Sequence, residues 1–359
     1  MNQMARVTAA VIGTGPEPDN IVWGESAAMA YQHGKAYQDI SHCDLLACAD
    51  IVRENAEDFA SKFDINDENV FTDHLEMLRS VEPDIVSIAT PVPTHADLVT
   101  STAETGIPGA IHCEKPMAHT WSDSRQMVEV TREKNIQLTL NHQRRFHPFW
   151  QKASSLLDDG VIGDLERIEM GGKNLYDFGS HLFDLSNHFA GERSAEWVIG
   201  QIHYTEEDVR YGVHNENQGL ASWSYGNGVH GIASTGYESG ANVIGCDQRL
   251  TGRRGVIEIQ PDGADANVRY RSDETTGWES FELEDAFAIG RAIEHACDCL
   301  ESGDQPVISG DHALRATEII FGIWESARQR SRIDLPLEAD GNALTELVEA
   351  GELAPTNTD

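Results

Sequence analysis

The sequence predicts an α/β protein in two parts. Residues 1–145 read as a doubly wound parallel sheet, and 146–340 as a second α/β domain with a large, mainly antiparallel open sheet; 341–359 reads as an acidic tail. Three observations carry this. Short apolar runs alternate with helical patterns through the first half. A glycine-rich turn follows the first run at once. Beyond Pro148, apolar-polar alternation takes over.

In order, strands are expected at 6–12, 44–49, 84–89, 110–113 and 136–141, with helices at 26–38, 52–62, 94–105 and 121–134. The apolar runs are too short for helices and are bounded by turn residues, as strands buried on both faces are. Thr94 ahead of Asp97 and Ser122-Asp123 supply helix starts. In the second part, helices at 147–158 and 174–190 enclose a strand at 165–170. Alternating strands follow at 196–204, 218–225, 229–236, 243–246, 256–260 and 267–271, with Gly, Asn and Asp at their turns. Helices at 285–302 and 311–330 close the domain, and the polar tail is expected to fray.

A chain of 359 residues is long for one domain and comfortable for two. No apolar run reaches the roughly 18 residues of a membrane span. Glu17 and Asp19 interrupt any basic-then-apolar leader, so the expectation is a soluble, cytoplasmic protein. The 60 Asp and Glu against 26 Lys and Arg give a formal charge of -34, a field that repels phosphate and so excludes nucleic acid and anionic membranes as partners. Carboxylates are spread over nearly every helix, and lysine occurs only at Lys35, Lys62, Lys115, Lys134, Lys152 and Lys173. This composition suits molar salt, where the Debye length of roughly 3 Å screens self-repulsion, and points to a halophile. In such a chain a lysine after an apolar run is a candidate for chemistry, and Lys115 is that residue. Cys43, Cys48, Cys113, Cys246, Cys297 and Cys299 show no metal-ligand spacing and read as buried reduced thiols.

Gly13-Thr14-Gly15 ends the first strand, where a tight turn and close backbone approach to a pyrophosphate demand residues without a Cβ. Read alone it is also an ordinary strand-turn loop, since the third glycine of the fingerprint is missing. Asp50 ends the second strand, where its carboxylate accepts from a ribose 2′-hydroxyl and repels a 2′-phosphate. NAD is therefore expected, with NADP left open by Arg53. Thr90-Pro91 follows the strand at 84–89 at the ligand-binding edge, and His95 comes next as a cofactor contact or a helix cap.

On a helical plot of 174–190, Phe178, Leu182, Leu185 and Phe189 form a core stripe, and Asp177, His181, Asp184 and His188 form a second beside it, bordering a cleft. The second stripe also reads as a solvated acidic face. It spans too much helix for one metal ion, so no metal is expected.

Taken together and in order, these elements resemble the Gfo/Idh/MocA oxidoreductases, the group of glucose-fructose oxidoreductase and inositol dehydrogenase. The resemblance runs from about residue 5 to 335 through Gly13-Thr14-Gly15, Asp50, Ala89-Thr90-Pro91 with His95, Cys113-Glu114-Lys115-Pro116, Asn141-His142-Gln143-Arg144-Arg145-Phe146 and Asp177-Phe178-Gly179-Ser180-His181-Leu182-Phe183-Asp184. It implies a Rossmann domain, a bound nicotinamide dinucleotide, and Lys115, Asp177 and His181 as catalytic residues. Cofactor contacts are then expected from Gly13, Thr14, Gly15, Asp50, Thr90, Pro91, His95, Glu114 and Lys115. Asn141, Arg144 and Lys173 are expected to join the catalytic three around the substrate. The chain departs from the family in an insertion at 16–25 and a short segment at 166–176, across which substrate identity does not carry.

The expected activity is NAD(P)-dependent hydride transfer between nicotinamide and a sugar, polyol or related secondary alcohol, in a homo-oligomer, dimer or tetramer. Two alternatives stand beside it: a non-catalytic regulator that senses the nucleotide or a sugar, and a glycoside-processing enzyme that cycles bound NAD internally.

Overall fold

The structure, a computed structural model, describes residues 6–18, 29–236 and 243–355. The chain divides into two compact units: Met1–His119 with Asp123–Gln143 and Phe287–Ala313, and Thr120–Ser122 with Arg144–Ala286 and Leu314–Asp359.

The first unit is built from β1 (Val7–Ile12), α1 (Met29–Asp39), β2 (Cys43–Ala49), α2 (Arg53–Lys62), β3 (Val70–Phe71), α3 (His74–Val81), β4 (Ile85–Ile88), α4 (His95–Thr105), β5 (Ala110–Cys113), α5 (Trp121–Glu133) and β6 (Gln137–Leu140). The strands pair in parallel in the order β3-β2-β1-β4-β5-β6. Strand order reverses between β1 and β4, so a crevice opens at their carboxyl ends. Ala9, Ala10, Val11, Ile85, Val86, Ile88 and Ile111 are fully buried, which is why these strands read as continuous apolar runs. Each large aliphatic side chain among them contributes roughly 1.5–3 kcal/mol.

Sequence reading does not anticipate β3 or α3. A two-residue strand has no period to detect, although Asp73 caps α3 by accepting from Leu75 N–H and Glu76 N–H. The insertion expected at 16–25 and the start of the helix expected at 26 lie largely outside the described residues.

The helix Ala288–Ser302 corrects the chain-order division. It was expected in the second domain, yet Ile289, Ile293, Ala296 and Cys297 join Val7, Tyr31, Tyr37 and Phe59 in the core of the first unit. Its apolar face completes the cover over the parallel sheet.

The second unit begins with α6 (Pro148–Asp158), β7 (Leu165–Met170) and α7 (Gly179–Phe189). From edge to edge its nine-stranded sheet runs Glu279–Phe281, Val268–Ser272, Gly255–Pro261, Cys246–Gly252, β7, His230–Gly236, Gln218–Tyr225, Ala195–His203 and Ile333–Asp334. Only β7 and His230–Gly236 pair in parallel among these described strands. The strand expected at 243–246 instead spans Cys246–Gly252. Alternation sorts the two faces: Val198, Ile202 and Trp223 are buried, while Ile199, Leu220 and Ile232 are exposed.

α7 begins five residues later than the periodicity predicts. Leu175 N–H donates to Glu216 Oε1 at 2.5 Å, Asp177 N–H to Asn215 Oδ1 at 3.1 Å and Phe178 N–H to Asn174 Oδ1 at 2.8 Å. These side chains take the amides that a helix would use and hold 175–178 as a turn.

Residues 342–349 are also more regular than their polarity suggests. Asn342 accepts from Thr345 N–H at 3.0 Å and caps the helix Ala343–Glu349, whose Ala343 and Leu344 are buried. No helix among the described residues is long and apolar enough to cross a membrane. All six cysteines are buried and free.

Candidate active site

In the first unit the predicted residues gather at the carboxyl edge of the parallel sheet. The chain leaves β1 through Gly13 and Gly15, at φ of 83° and 62°. A Cβ on Gly13 would lie 2.2 Å from Thr90 Cγ2, so glycine alone lets this turn pass against the end of β4. Asp50 accepts from Gly15 N–H at 2.9 Å and Val52 N–H at 2.8 Å, with a longer contact of 3.3 Å from Thr14 Oγ1. The two short bonds fall one on each carboxylate oxygen, and Asn55 Nδ2 lies 3.5 Å from Oδ1. The Gly13 and Gly15 N–H groups are taken by Ala49 O and Asp50 Oδ2, so what the turn offers a pyrophosphate is close approach without a Cβ, and with an acidic acceptor one strand away this fits a nicotinamide dinucleotide. Arg53 is committed elsewhere, donating to Glu57 Oε1 at 2.7 Å and Val70 O at 2.8 Å.

Three expected ligand contacts turn out to be internal. His95 is fully buried, with ring nitrogens 3.0 Å from Pro116 O and 2.8 Å from Thr90 O, and burial lowers its pKa. It ties the end of β4 to the segment after Lys115 and presents no edge to a cofactor. Glu114 is buried as well, its Oε1 meeting His33 Nε2 at 2.9 Å and Asn141 Nδ2 at 2.6 Å. Burial pushes its carboxyl up, but bonds from His33 and Asn141 and the charge of Lys115 outweigh that and hold it below the usual carboxylate range. The Asn141 Nδ2 is thereby committed to Glu114. Lys115 is half-buried, and its N–H donates to Glu114 Oε2 at 3.1 Å. Thr90 is half-buried and Pro91 exposed at the same edge.

The second unit holds Arg144, Lys173, Asp177 and His181. Asp177 sits on the turn before α7 and His181 in the first turn of the helix, where it is 4% exposed. The rest of the predicted polar stripe is engaged in internal bonds. Arg145 Nε donates to Asp184 Oδ2 at 2.7 Å and its Nη2 to Asp184 Oδ1 at 2.8 Å, a buried bidentate pair. His188 meets Glu192 Oε1 at 3.0 Å and Ser154 Oγ at 3.1 Å. The Arg144 guanidinium lies 4.2 Å from the Phe178 ring centre and 4.9 Å from that of Trp150, and reaches Asp247 Oδ2 at 3.4 Å. Burial lowers the pKa of Arg144 and raises that of Asp247 despite their mutual attraction. Lys173 is exposed.

Sequence reasoning missed the residues that fix these groups. Asn215 and Glu216 hold the Asp177 turn, and Glu216 also accepts from Trp324 Nε1 at 3.0 Å. Burial raises the Glu216 carboxyl to about 7. His33 and Tyr37, one helical turn apart on α1, carried a signal that was not used: polar groups on the face of a helix that packs on the sheet.

Fold and edge residues together define a dinucleotide-binding α/β protein with a second, open-sheet unit. The model of the oxidoreductase family with NAD-binding Rossmann fold, Gfo/Idh/MocA, matches residues 20–142, and that of its C-terminal α/β domain matches 166–335. The chain belongs to the Gfo/Idh/MocA family of oxidoreductases and carries its NAD-binding Rossmann domain. It is 24% identical to D-apiose dehydrogenase of Paraburkholderia graminis, over 87% of this chain and 89% of that one. It is 21% identical to myo-inositol 2-dehydrogenase of Thermotoga maritima, over 84% and 94%. Among solved structures, an inositol dehydrogenase homolog from Azotobacter vinelandii, complexed with NADH and myo-inositol, shares the fold with a TM-score of 0.75 at 15% identity, over 92% of this chain and 98% of that one.

Proposed function

We propose that this protein is an NAD-dependent dehydrogenase that oxidises a secondary alcohol of a sugar, polyol or related polyhydroxylated compound. The observation that carries this reading is the placement of Lys115 directly after β5, at the same sheet edge as the Gly13–Gly15 turn and Asp50. Relatives named for D-apiose and myo-inositol support a polyhydroxylated substrate.

NAD, when bound, supplies the hydride acceptor. Gly13 and Gly15 receive its pyrophosphate and Asp50 its ribose. The Lys115 ammonium donates a hydrogen bond to the reacting oxygen and stabilises the charge that develops there. His181 accepts the hydroxyl proton on its imidazole, and Asp177 favours the charged ring that results. Arg144 and Lys173 orient the substrate hydroxyls. A homo-oligomer, dimer or tetramer, would cover the exposed Ile199, Leu220 and Ile232 on the open sheet face.

The test is near-ultraviolet absorbance of purified protein with NAD and a panel of sugars and polyols, in molar salt. Net NADH formation is expected. Nucleotide binding without turnover would instead make the chain a sensor, and product without net NADH would indicate an internal redox cycle.

A further inference from the structure

We propose that a buried hydrogen-bonded chain, Tyr37 to Ser87 to His33 to Glu114, positions Lys115, with His33 at its centre as the neutral Nε2–H tautomer. The proposal rests on the assignment of Lys115 to the reacting oxygen. Tyr37 and His33 come from α1, Ser87 from β4 and Glu114 from the end of β5, so three elements of one unit meet beneath the sheet edge. Tyr37, His33 and Ser87 are fully buried and Glu114 is 5% exposed.

Donor counting fixes its direction. Tyr37 OH lies 2.8 Å from Ser87 Oγ, Ser87 Oγ 3.0 Å from His33 Nδ1, and His33 Nε2 2.9 Å from Glu114 Oε1. Glu114 also accepts from Asn141 Nδ2 and from Lys115 N–H, and as a carboxylate it offers no proton. His33 Nε2 must then be the donor to Glu114. If Ser87 donates to Nδ1 and Tyr37 donates to Ser87, every group in the chain is satisfied. A donating Nδ1–H instead needs a cationic imidazole, and it leaves one buried hydroxyl proton, that of Ser87 or that of Tyr37, without an acceptor in the chain, at a cost of roughly 1–3 kcal/mol.

The consequence falls on Lys115. One Glu114 oxygen is pinned by His33 and Asn141, and the other receives the Lys115 amide, so the backbone that launches the lysine is referenced to α1 and β4. Releasing Glu114 lets the carboxylate rotate and Lys115 drift, and even a displacement of roughly 1 Å costs up to about 10²-fold in rate. His33 is in this sense a positioning residue; it touches no substrate.

Nitrogen NMR of isotope-labelled imidazoles reads the chain directly in the intact protein. His33 is expected to show a pyridine-type Nδ1 and a pyrrole-type Nε2; two protonated nitrogens, or the opposite tautomer, would overturn the proposal. Turnover of variants reads the coupling. His33→Leu is expected to lower kcat by at least about tenfold with NAD affinity kept, and His33→Gln, which retains a donor toward Glu114, to recover most of the loss. Wild-type kcat in His33→Leu, or His33→Gln no better than His33→Leu, would also overturn it. Should His33→Leu fail to fold, the NMR result and His33→Gln against wild type still decide. If Lys115→Met keeps full turnover while the predicted tautomer is found, the role of Lys115 fails and the chain stands as structure alone.

Discussion

Replacing Gly13 by alanine is expected to weaken NAD binding by about 10- to 100-fold. A side chain at positive φ costs roughly 1–2 kcal/mol. Gly13 carries a further penalty, because its new Cβ would sit 2.2 Å from Thr90 Cγ2 where ordinary contact begins at 3.4 Å. The turn must therefore retreat from β4 by the difference, about 1.2 Å, and backbone donors that approach the pyrophosphate retreat with it. Hydrogen bonds to a charged group are worth roughly 1.5–3 kcal/mol each, and 1.4 kcal/mol is tenfold in affinity, so losing one gives the stated range. Gly106 supplies the control, with φ of 63° and nothing within 4 Å of its Cβ position. Gly106→Ala pays the backbone cost alone and should bind NAD normally. Thr90→Ser removes the clashing methyl and leaves Thr90 Cα and Cβ at 3.3 Å, so adding it to Gly13→Ala is expected to restore most of the affinity. Isothermal titration of the three variants with NAD decides the matter. Equal affinities for Gly13→Ala and Gly106→Ala, or no recovery with Thr90→Ser, would refute the steric reasoning.

With Asp50 assigned to the ribose and Arg53 bonded to Glu57 and Val70, kcat/KM is expected to favour NAD over NADP, and Asp50→Ala to narrow the gap; a preference for NADP in steady-state kinetics would reverse the assignment. A net charge of -34 predicts loss of structure and activity on dialysis from molar to low salt, followed by circular dichroism; unchanged spectra would assign the acidity another origin. Burial raises the Glu216 carboxyl from 4.5 to about 7, so the folded state holds its proton in a range where the unfolded chain has released it. That group therefore costs stability as pH rises from 4.5 to about 7, by about 3 kcal/mol in all, and leaves a constant penalty above. Denaturant titrations should show Glu216→Gln gaining on wild type across that window, and a difference independent of pH would discard the assignment.

The parallel sheet was legible because its strands are buried on both faces and written as unbroken apolar runs, as in Ala110–Cys113. Val70–Phe71 was not, since two residues carry no pattern. The membership of Ala288–Ser302 depends on contacts with a core that begins at Val7, and no local signal encodes such a distance. Periodicity carried Asp177 into α7 because it counts apolar spacing alone; the bonds from Asn174, Asn215 and Glu216 that stop the helix lie up to 41 residues away. The gathering of Gly13, Asp50 and Lys115 at one sheet edge was legible from residue type and place on the strands. His33 and Ser87 were not, because their partners stand 81 and 54 positions along the chain.

The most direct test measures the rate of NADH formation by wild type, Lys115→Met and His181→Asn, with NAD affinity determined in parallel. Both variants are expected to lose roughly 10²–10⁴ in kcat while binding NAD as wild type does, since the proposed mechanism assigns both groups to the substrate oxygen. Losses below about tenfold in both, or loss of NAD binding along with activity, would make Lys115 and His181 scaffold residues and contradict the proposed mechanism.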